Sequence, residues 1–352
     1  MEQFSLQHRG NVKCALPPDS LYTGPALEMA SSAATARLHA SLLATALPPE
    51  GGRILEIAAG IGADSILLTR VADALVCIEA DPLHARMLRH NLDAAQARNA
   101  MVLRGSAETL LQSLKLHCFD AVFADPARRE APGRGRTRRS VEIENYSPPF
   151  SFFQSLPLSL PILIKIAPAA EVPGGWGVAT VAADGECKEQ LLHRGMALPP
   201  LCAIDADSGE RWTPGESREA IVVRNPAWLI EPHAAIIRTG AVAQYCREHH
   251  CEPIDPMIAY GWSESEPQVS PWHRRFRILR VEKYHRKNLQ RGVDEFGFGA
   301  RTEIKKRGFP ETPDEVRKKL RFRGERKGLI FLTRQGDGHL MIFAERPSPP
   351  GG

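Results

Sequence analysis

"RILEIAAGIGADSILLTRVADALVCIEAD", residues 53–81, alternates two kinds of segment. The runs at 53–59 and 74–81 are short, apolar and bounded by turn formers, so they read as buried strands. Between them, Gly60 and Gly62 open a helix. The pattern continues downstream. "PLHARMLRHNLDAA" (82–95) is a helix with proline at its first position. "AMVLRGS" (100–106) is a third strand, "AETLLQSL" a helix, "FDAVFADP" (119–126) a fourth strand and "PILIKIAP" (161–168) a fifth. The last strands are expected near 178–182 and 219–225. Nearly continuous apolar strands separated by helices imply an α/β fold: a parallel sheet with helices on both faces. Upstream, residues 1–24 read as a loosely structured arm and 26–47 as one or two helices.

A second pattern begins near 275. "RFRILRVEKY" reads as a strand, "HRKNLQRGVDEF" as a helix and "ARTEIKKRG" as a strand. "TPDEVRKKLRF" is a helix capped by Thr312, and "GLIFLTR" and "HLMIFAER" are strands joined by "QGDG". This is a small α+β domain. The expected divisions are therefore an N-terminal arm with helices (1–48), a cofactor-binding sheet (49–225), a linker or small ferredoxin-like region (226–272), a basic domain (273–346) and a disordered tail (347–352).

The charge is uneven. The chain of 352 residues carries +4 overall, yet residues 271–346 hold 21 Lys+Arg against 10 Asp+Glu, a net of +11 that leaves about −7 elsewhere. A basic module on a mildly acidic body points to a polyanionic partner. Seven cysteines lack Cys-x-x-Cys spacing, which argues against disulfides and a zinc site; no metal is expected. No stretch approaches the ~18 apolar residues of a membrane span, and no signal pattern opens the chain, so a reducing cytoplasm is the expected compartment.

In an open parallel sheet, ligands bind outside the carboxyl ends of the strands. The first strand carries Glu56 and leads into Ala58, Gly60 and Gly62, whose glycines let the backbone approach a ligand closely. Glu79 ends the second strand, where a carboxylate accepts both hydroxyls of a ribose. Ser106 ends the third, where an adenine edge would lie. The third glycine of a nicotinamide fingerprint is absent, because Ser65 stands in its place. S-adenosylmethionine fits these strand ends better.

These and other stretches resemble one family. "SSAATARLHASLL" (31–43), "EIAAGIGADSI" (56–66), "FADPARR" (123–129), "NYSPPF" (145–150), "KIAPA" (165–169), "LIEPHAAIIRTG" (229–240) and "EIKKRGF" (303–309) are similar to class I S-adenosylmethionine-dependent methyltransferases with a C-terminal THUMP-like domain. The resemblance implies a Rossmann-like sheet, S-adenosylmethionine as cofactor, and RNA (tRNA or rRNA) as partner. It assigns Glu56, Gly60 and Gly62 to the methionine end, Glu79 to ribose and Ser106 to adenine. Two departures stand out. Ala58 replaces the glycine usual two residues after the first acid, and Ser106 replaces a frequent aspartate.

Methyl transfer needs an aligned, desolvated nucleophile. An exocyclic base amine needs acceptors for its hydrogens, and Asp125 with the backbone around Pro126 supplies them. Arg128 occupies the place where many amino-methylating enzymes carry an aromatic. A ribose 2′-hydroxyl instead needs a base. Lys165 lies in the fifth strand, where an unpaired lysine is costly. It reads either as a base or as an ion-pair partner of Asp125 or Asp120. Asp125, Lys165 and Glu219 follow the order of the ribose methyltransferases' Lys-Asp-Lys-Glu set, but His39 stands at the first lysine. No Cys-Pro or Pro-Cys dipeptide near the fourth or sixth strand supports a covalent thiol route.

"ARREAPGRGRTRR" (127–139) has six arginines, so Arg128 and Arg129 read as phosphate contacts. Tyr146 or Phe150 reads either as a stacking platform for a splayed base or as lid packing. Lys305, Lys306 and Arg307 read as the phosphate-binding face of the basic domain. The leading expectation is an RNA base methyltransferase. A ribose methyltransferase, a degenerate fold that only binds RNA, and a small-molecule or protein methyltransferase compete with it.

Overall fold

The computed structural model describes residues 2–128, 141–216 and 219–347. They fall into two compact units, Met1–Thr213 and Pro214–Gly352.

The strands of the first unit are β1 (Arg53–Ile57), β2 (Ala74–Glu79), β3 (Ala100–Arg104), β4 (Ala121–Ala124), β5 (Ala127–Arg128), β6 (Tyr146–Ser147), β7 (Ile162–Ile166), β8 (Gly177–Ala183), β9 (Glu186–Arg194), β10 (Leu201–Asp205) and β11 (Arg211–Trp212). Nine of them form one sheet in the order β11-β10-β8-β9-β7-β4-β1-β2-β3, while β5 and β6 form a separate ribbon. The block from β7 to β3 is parallel. At the other end β9 runs antiparallel to both β7 and β8. The residues near 178–182 do form a strand, but 219–225 do not: β9 and β10 complete the sheet instead.

Successive residues along each strand serve opposite faces. Ile54 and Phe123 join one core, with Leu55, Ile57, Val122 and Ala124 in the other. That alternation puts Glu56 on the face of Ile54, buried under helices, at 1% exposure. Those helices are α1 (Glu2–Lys13), α2 (Gly24–Met29), α3 (Ala33–Ala44), α4 (Ser65–Leu68) and α5 (Pro82–Ala94), with α6 (Ala107–Leu110) and α7 (Phe150–Gln154) further along the chain. In α5 the buried Ala85, Leu88 and Leu92 lie three and four residues apart, one helical stripe. The expected loose arm at 1–24 is mostly packed structure: α1 buries Leu6, and Leu16 and Tyr22 join the same core.

The second unit holds β12 (Trp228–Pro232), α8 (Ala234–Arg238), α9 (Val242–Glu248), β13 (Glu252–Asp255), β14 (Ile258–Ser263), β15 (His273–Lys283), α10 (Arg286–Glu295), β16 (Glu303–Arg307), α11 (Pro313–Lys318), β17 (Leu329–Gln335) and β18 (Gly338–Glu345). Its sheet runs β13-β14-β12-β15-β18-β17-β16. Residues 226–272 are therefore no separate linker or ferredoxin-like region. β12 pairs directly with β15, and together they carry one core. The boundary also lies at 213/214, not 225/226. Thr312 caps α11 in a reciprocal capping box with Glu315. Of the expected tail at 347–352, all but its first residue lies outside the described residues.

Candidate active site

A cavity of about 380 Å³ opens at the carboxyl ends of β1, β2, β3 and β4, and residues of the first unit alone line it. This is the size range of small-molecule sites, roughly 300–1,000 Å³. Asp125 and Glu79 stand at its two sides, because β1 lies between β4 and β2 in the sheet. The turn after β1 fills the space between them.

The turn's geometry explains its sequence. Ala58, Gly60 and Gly62 all have positive φ, at 59°, 57° and 95°. Gly60 faces open space, since a Cβ there would meet nothing within 4 Å. Ala58 adopts the left-handed conformation that glycine takes without penalty, which costs an L-residue about 1–2 kcal/mol. The departure from glycine is thus a strained residue in an unchanged turn. Glu79 braces this turn. Its two oxygens accept from the amides of Gly60 at 2.7 Å and Asp81 at 2.8 Å. Burial raises its pKa, and the two amides work against the rise. Ser106 caps α6, accepting from the Thr109 amide. Glu56 lies at the cavity floor with the Cys77 thiol donating to it, and burial lifts its pKa to about 8.

Asp125 follows β4, its amide donating to the Ile57 carbonyl. Beside it, β7 carries Lys165, whose Nζ donates to Asp125 Oδ2 at 2.8 Å and to Ser31 Oγ at 3.0 Å. Ser31 Oγ donates to Asp64 Oδ2 at 2.7 Å. Asp64 Oδ1 lies 2.7 Å from His39 Nδ1, and Glu189 Oε1 lies 2.6 Å from His39 Nε2. Glu189 Oε2 closes the ring, 3.7 Å from Lys165. Three carboxylates therefore surround two cations. His39 is wholly buried. Burial alone would depress its pKa, but Glu189 and Asp64 overcome that and lift it to about 10, so both ring nitrogens carry protons at neutral pH. Burial also opposes the Lys165 charge, yet Asp125, Glu189 and Asp64 hold its pKa above the ordinary value. Burial raises Asp125, with Lys165 opposing the rise. Asp125 is the outlet of the network: its side chain keeps one third of its exposure, and Oδ1 has no partner among the described residues.

The structure brings together Glu56, Ala58, Gly60, Glu79, Ser106, Asp125, Pro126, Arg128 and Lys165 at one cavity, whereas Gly62 does not line it and instead packs against Leu88 of α5, where a Cβ would meet the Leu88 side chain at 2.8 Å. Glu219 is exposed and belongs to the second unit. Glu189 and Asp64 are the acids near Lys165 instead, and Asp120 is occupied by the Arg53 amide. Tyr146 offers no platform for a base: it is 1% exposed, and its hydroxyl accepts from the Ala167 amide. Phe150 is likewise buried, edge-on to Trp176. Arg129 and most of the arginine-rich loop lie outside the described residues; Arg128 is exposed in the β5–β6 ribbon. Sequence reading missed Ser31, Asp64 and Glu189, and saw His39 only as a mismatch. A helical count would have flagged His39, three residues from Ala36 and four from Leu43, both buried.

In the basic domain, Lys305 and Arg307 turn toward Glu231 rather than solvent. Lys305 also lies near the Phe276 and Phe331 rings, and the Arg307 guanidinium lies 4.8 Å from the Tyr260 ring centre. Lys306 is exposed but donates to the Phe309 carbonyl at 3.1 Å. Among the described residues no group of His, Cys, Asp and Glu forms a metal site, and no helix is long and apolar enough to cross a membrane.

Known proteins share this organisation. Residues 273–346 match the THUMP domain-like family model. The chain is 29% identical to uncharacterized S-adenosylmethionine-dependent methyltransferases of two Mycobacterium tuberculosis strains, over 93% of this chain and 89% of theirs. A solved structure from Porphyromonas gingivalis W83, provisionally named a methyltransferase, is 21% identical, with a TM-score of 0.78 over 99% of this chain and 90% of that one. At that identity the likeness establishes the fold. The expected architecture, a methyltransferase sheet followed by a THUMP-like domain, is borne out.

Proposed function

We propose that the protein is an S-adenosylmethionine-dependent RNA methyltransferase that modifies a base amine of structured tRNA or rRNA. The observation that carries this reading is the single cavity joining Glu79, the glycine turn and Asp125. The relatives' shared name as S-adenosylmethionine-dependent methyltransferases supports the class and the cofactor. The THUMP-like match supports RNA as the substrate.

The residues fit the cofactor. Carboxylates dominate the charged lining, which suits a cationic ligand, and Gly60 leaves open space for close approach to the backbone. S-adenosylmethionine supplies an electrophilic methyl on a sulfonium when bound. Glu79 would hold the ribose hydroxyls, since each of its oxygens has capacity beyond one backbone amide. Gly60 would border the methionine end and Ser106 the adenine edge.

Asp125 does the chemical positioning. Its Oδ1 would accept from the acceptor amine, directing the nitrogen lone pair along the reaction line. Lys165 stays protonated and anchors Oδ2. A lysine held above its ordinary pKa is a poor base at neutral pH. That disfavours a ribose 2′-hydroxyl as acceptor, the alternative that would use Asp125, Lys165 and Glu219.

Isothermal titration with S-adenosylmethionine and with its demethylated product tests the cofactor assignment. Both are expected to bind wild type, and Glu79→Ala is expected to weaken both by about tenfold or more, the loss of roughly one or two hydrogen bonds. No binding of either to wild type would remove the enzyme reading.

A further inference from the structure

The cations expected to grip RNA, Lys305 and Arg307, are committed inside the second unit, whereas another set is free. Between α10 and the segment after α11 lies a groove of about 480 Å³, lined by Arg286, Lys287, Lys319, Arg321, Arg323 and the pair Gln290 and Asp294. All five cations are exposed. Lys319 pairs with Glu311 at 2.7 Å. Arg286, Lys287, Arg321 and Arg323 make no ion pair among the described residues.

Gln290 builds the groove rather than serving it. Its amide nitrogen donates to the Arg321 carbonyl at 2.9 Å and to Asp294 Oδ1 at 3.0 Å, and its oxygen accepts from the Arg321 amide at 2.8 Å. This clamp fixes the Arg321–Arg323 segment against α10. The groove thus offers positive charge on a fixed frame, while its one neutral amide is already consumed.

We propose that this groove binds the phosphate backbone of the RNA substrate. The inference rests on the RNA reading above and moves the phosphate contacts from Lys305 and Arg307 to the cations of this groove. Concave, unpaired positive charge suits a chain of phosphates. A membrane-binding surface would need apolar side chains among the cations, and none lines the groove. Phosphate contacts position without reading bases, so binding here is independent of sequence.

Fluorescence anisotropy with labelled, unfractionated tRNA across a salt series tests this in the full-length protein. Replacing Arg286, Lys287, Arg321 and Arg323 with glutamine should flatten the plot of log affinity against log salt by about three units, at roughly 0.7–0.9 per contact. Because all four are exposed, the variant should keep the wild-type melting temperature and S-adenosylmethionine affinity. A wild-type slope in the variant would overturn the groove while leaving the RNA reading intact. Failure of wild type to bind tRNA and, in a parallel titration, ribosomal RNA would overturn both. Stronger groove-dependent binding to phosphatidylserine vesicles than to tRNA would overturn RNA as the occupant. Equal slopes for oligo(A) and oligo(U) are expected; a slope change confined to one would contradict backbone recognition.

Discussion

The two units carry charge in opposite ways. In the first, the buried Asp64, Glu189 and His39 and the half-buried Lys165 are joined through Ser31 in a closed ring. In the second, the groove cations are exposed and largely unpaired. Buried charges are tolerable only together, because removing one partner leaves another uncompensated in low dielectric. Exposed cations contribute little to stability and act instead on a polyanion. Under the proposed function, the contrast would separate residues that shape the reaction from residues that gather the substrate.

The largest effect should come from breaking the ring. His39→Leu strands Asp64 and Glu189 with Lys165 alone, and should destabilise the first unit by about 3–5 kcal/mol. Chemical denaturation measures this. Arg321→Ala should stay within about 0.5 kcal/mol. Similar losses for both would erase the contrast.

Asp125→Asn should lower turnover by about 100-fold or more, the scale of a positioned polar group in the transition state. Cofactor affinity should hold, because Glu79 and the glycine turn lie on the other side. Titration and single-turnover kinetics together separate the two. A parallel loss of affinity would mean that Asp125 grips the cofactor.

The pH dependence follows from His39. Its folded pKa is about 10 against an ordinary 6.5, so the folded state holds the proton more tightly. The stabilisation is complete below about pH 6.5 and is lost as pH rises through about 10. Glu56, lifted to about 8, works in the same sense: stability falls between its ordinary 4.5 and that value. Melting temperature should therefore decline as pH rises from about 5 to about 10, and His39→Gln should flatten the decline above pH 8. A wild-type profile in the variant would show that His39 is neutral.

Much of this was legible in sequence because local chemistry fixes it. The strands at 53–57 and 74–79, the glycine turn, the Thr312 cap and the "QGDG" hairpin all follow from short-range patterns. The ring was not legible. Ser31, Asp64 and Lys165 meet across separations of 33 and 134 residues, and His39 and Glu189 across 150. Only the sheet order brings them together. The strand misplaced at 219–225 has a similar cause. "EAIVVRN" is apolar enough for a strand, but β9 and β10 already complete the sheet. Composition likewise marked the basic domain but could not show that Glu231 engages Lys305 and Arg307.

A smaller effect than the loss of the ring concerns backbone strain. Ala58→Gly removes a left-handed alanine at φ 59° but adds glycine's unfolded-state entropy. A net gain of about 0.5–1 kcal/mol is expected, well below the charge effects. A loss would mean that the methyl packs usefully against the cavity.

Transfer of tritium-labelled methyl groups from S-adenosylmethionine into RNA purified from a strain lacking this protein, by wild type and by Asp125→Asn, is the most direct test. Label in RNA with wild type, at least about 100-fold slower with the variant, is the expected result. No label in RNA with wild type protein that binds both cofactor and RNA would contradict it.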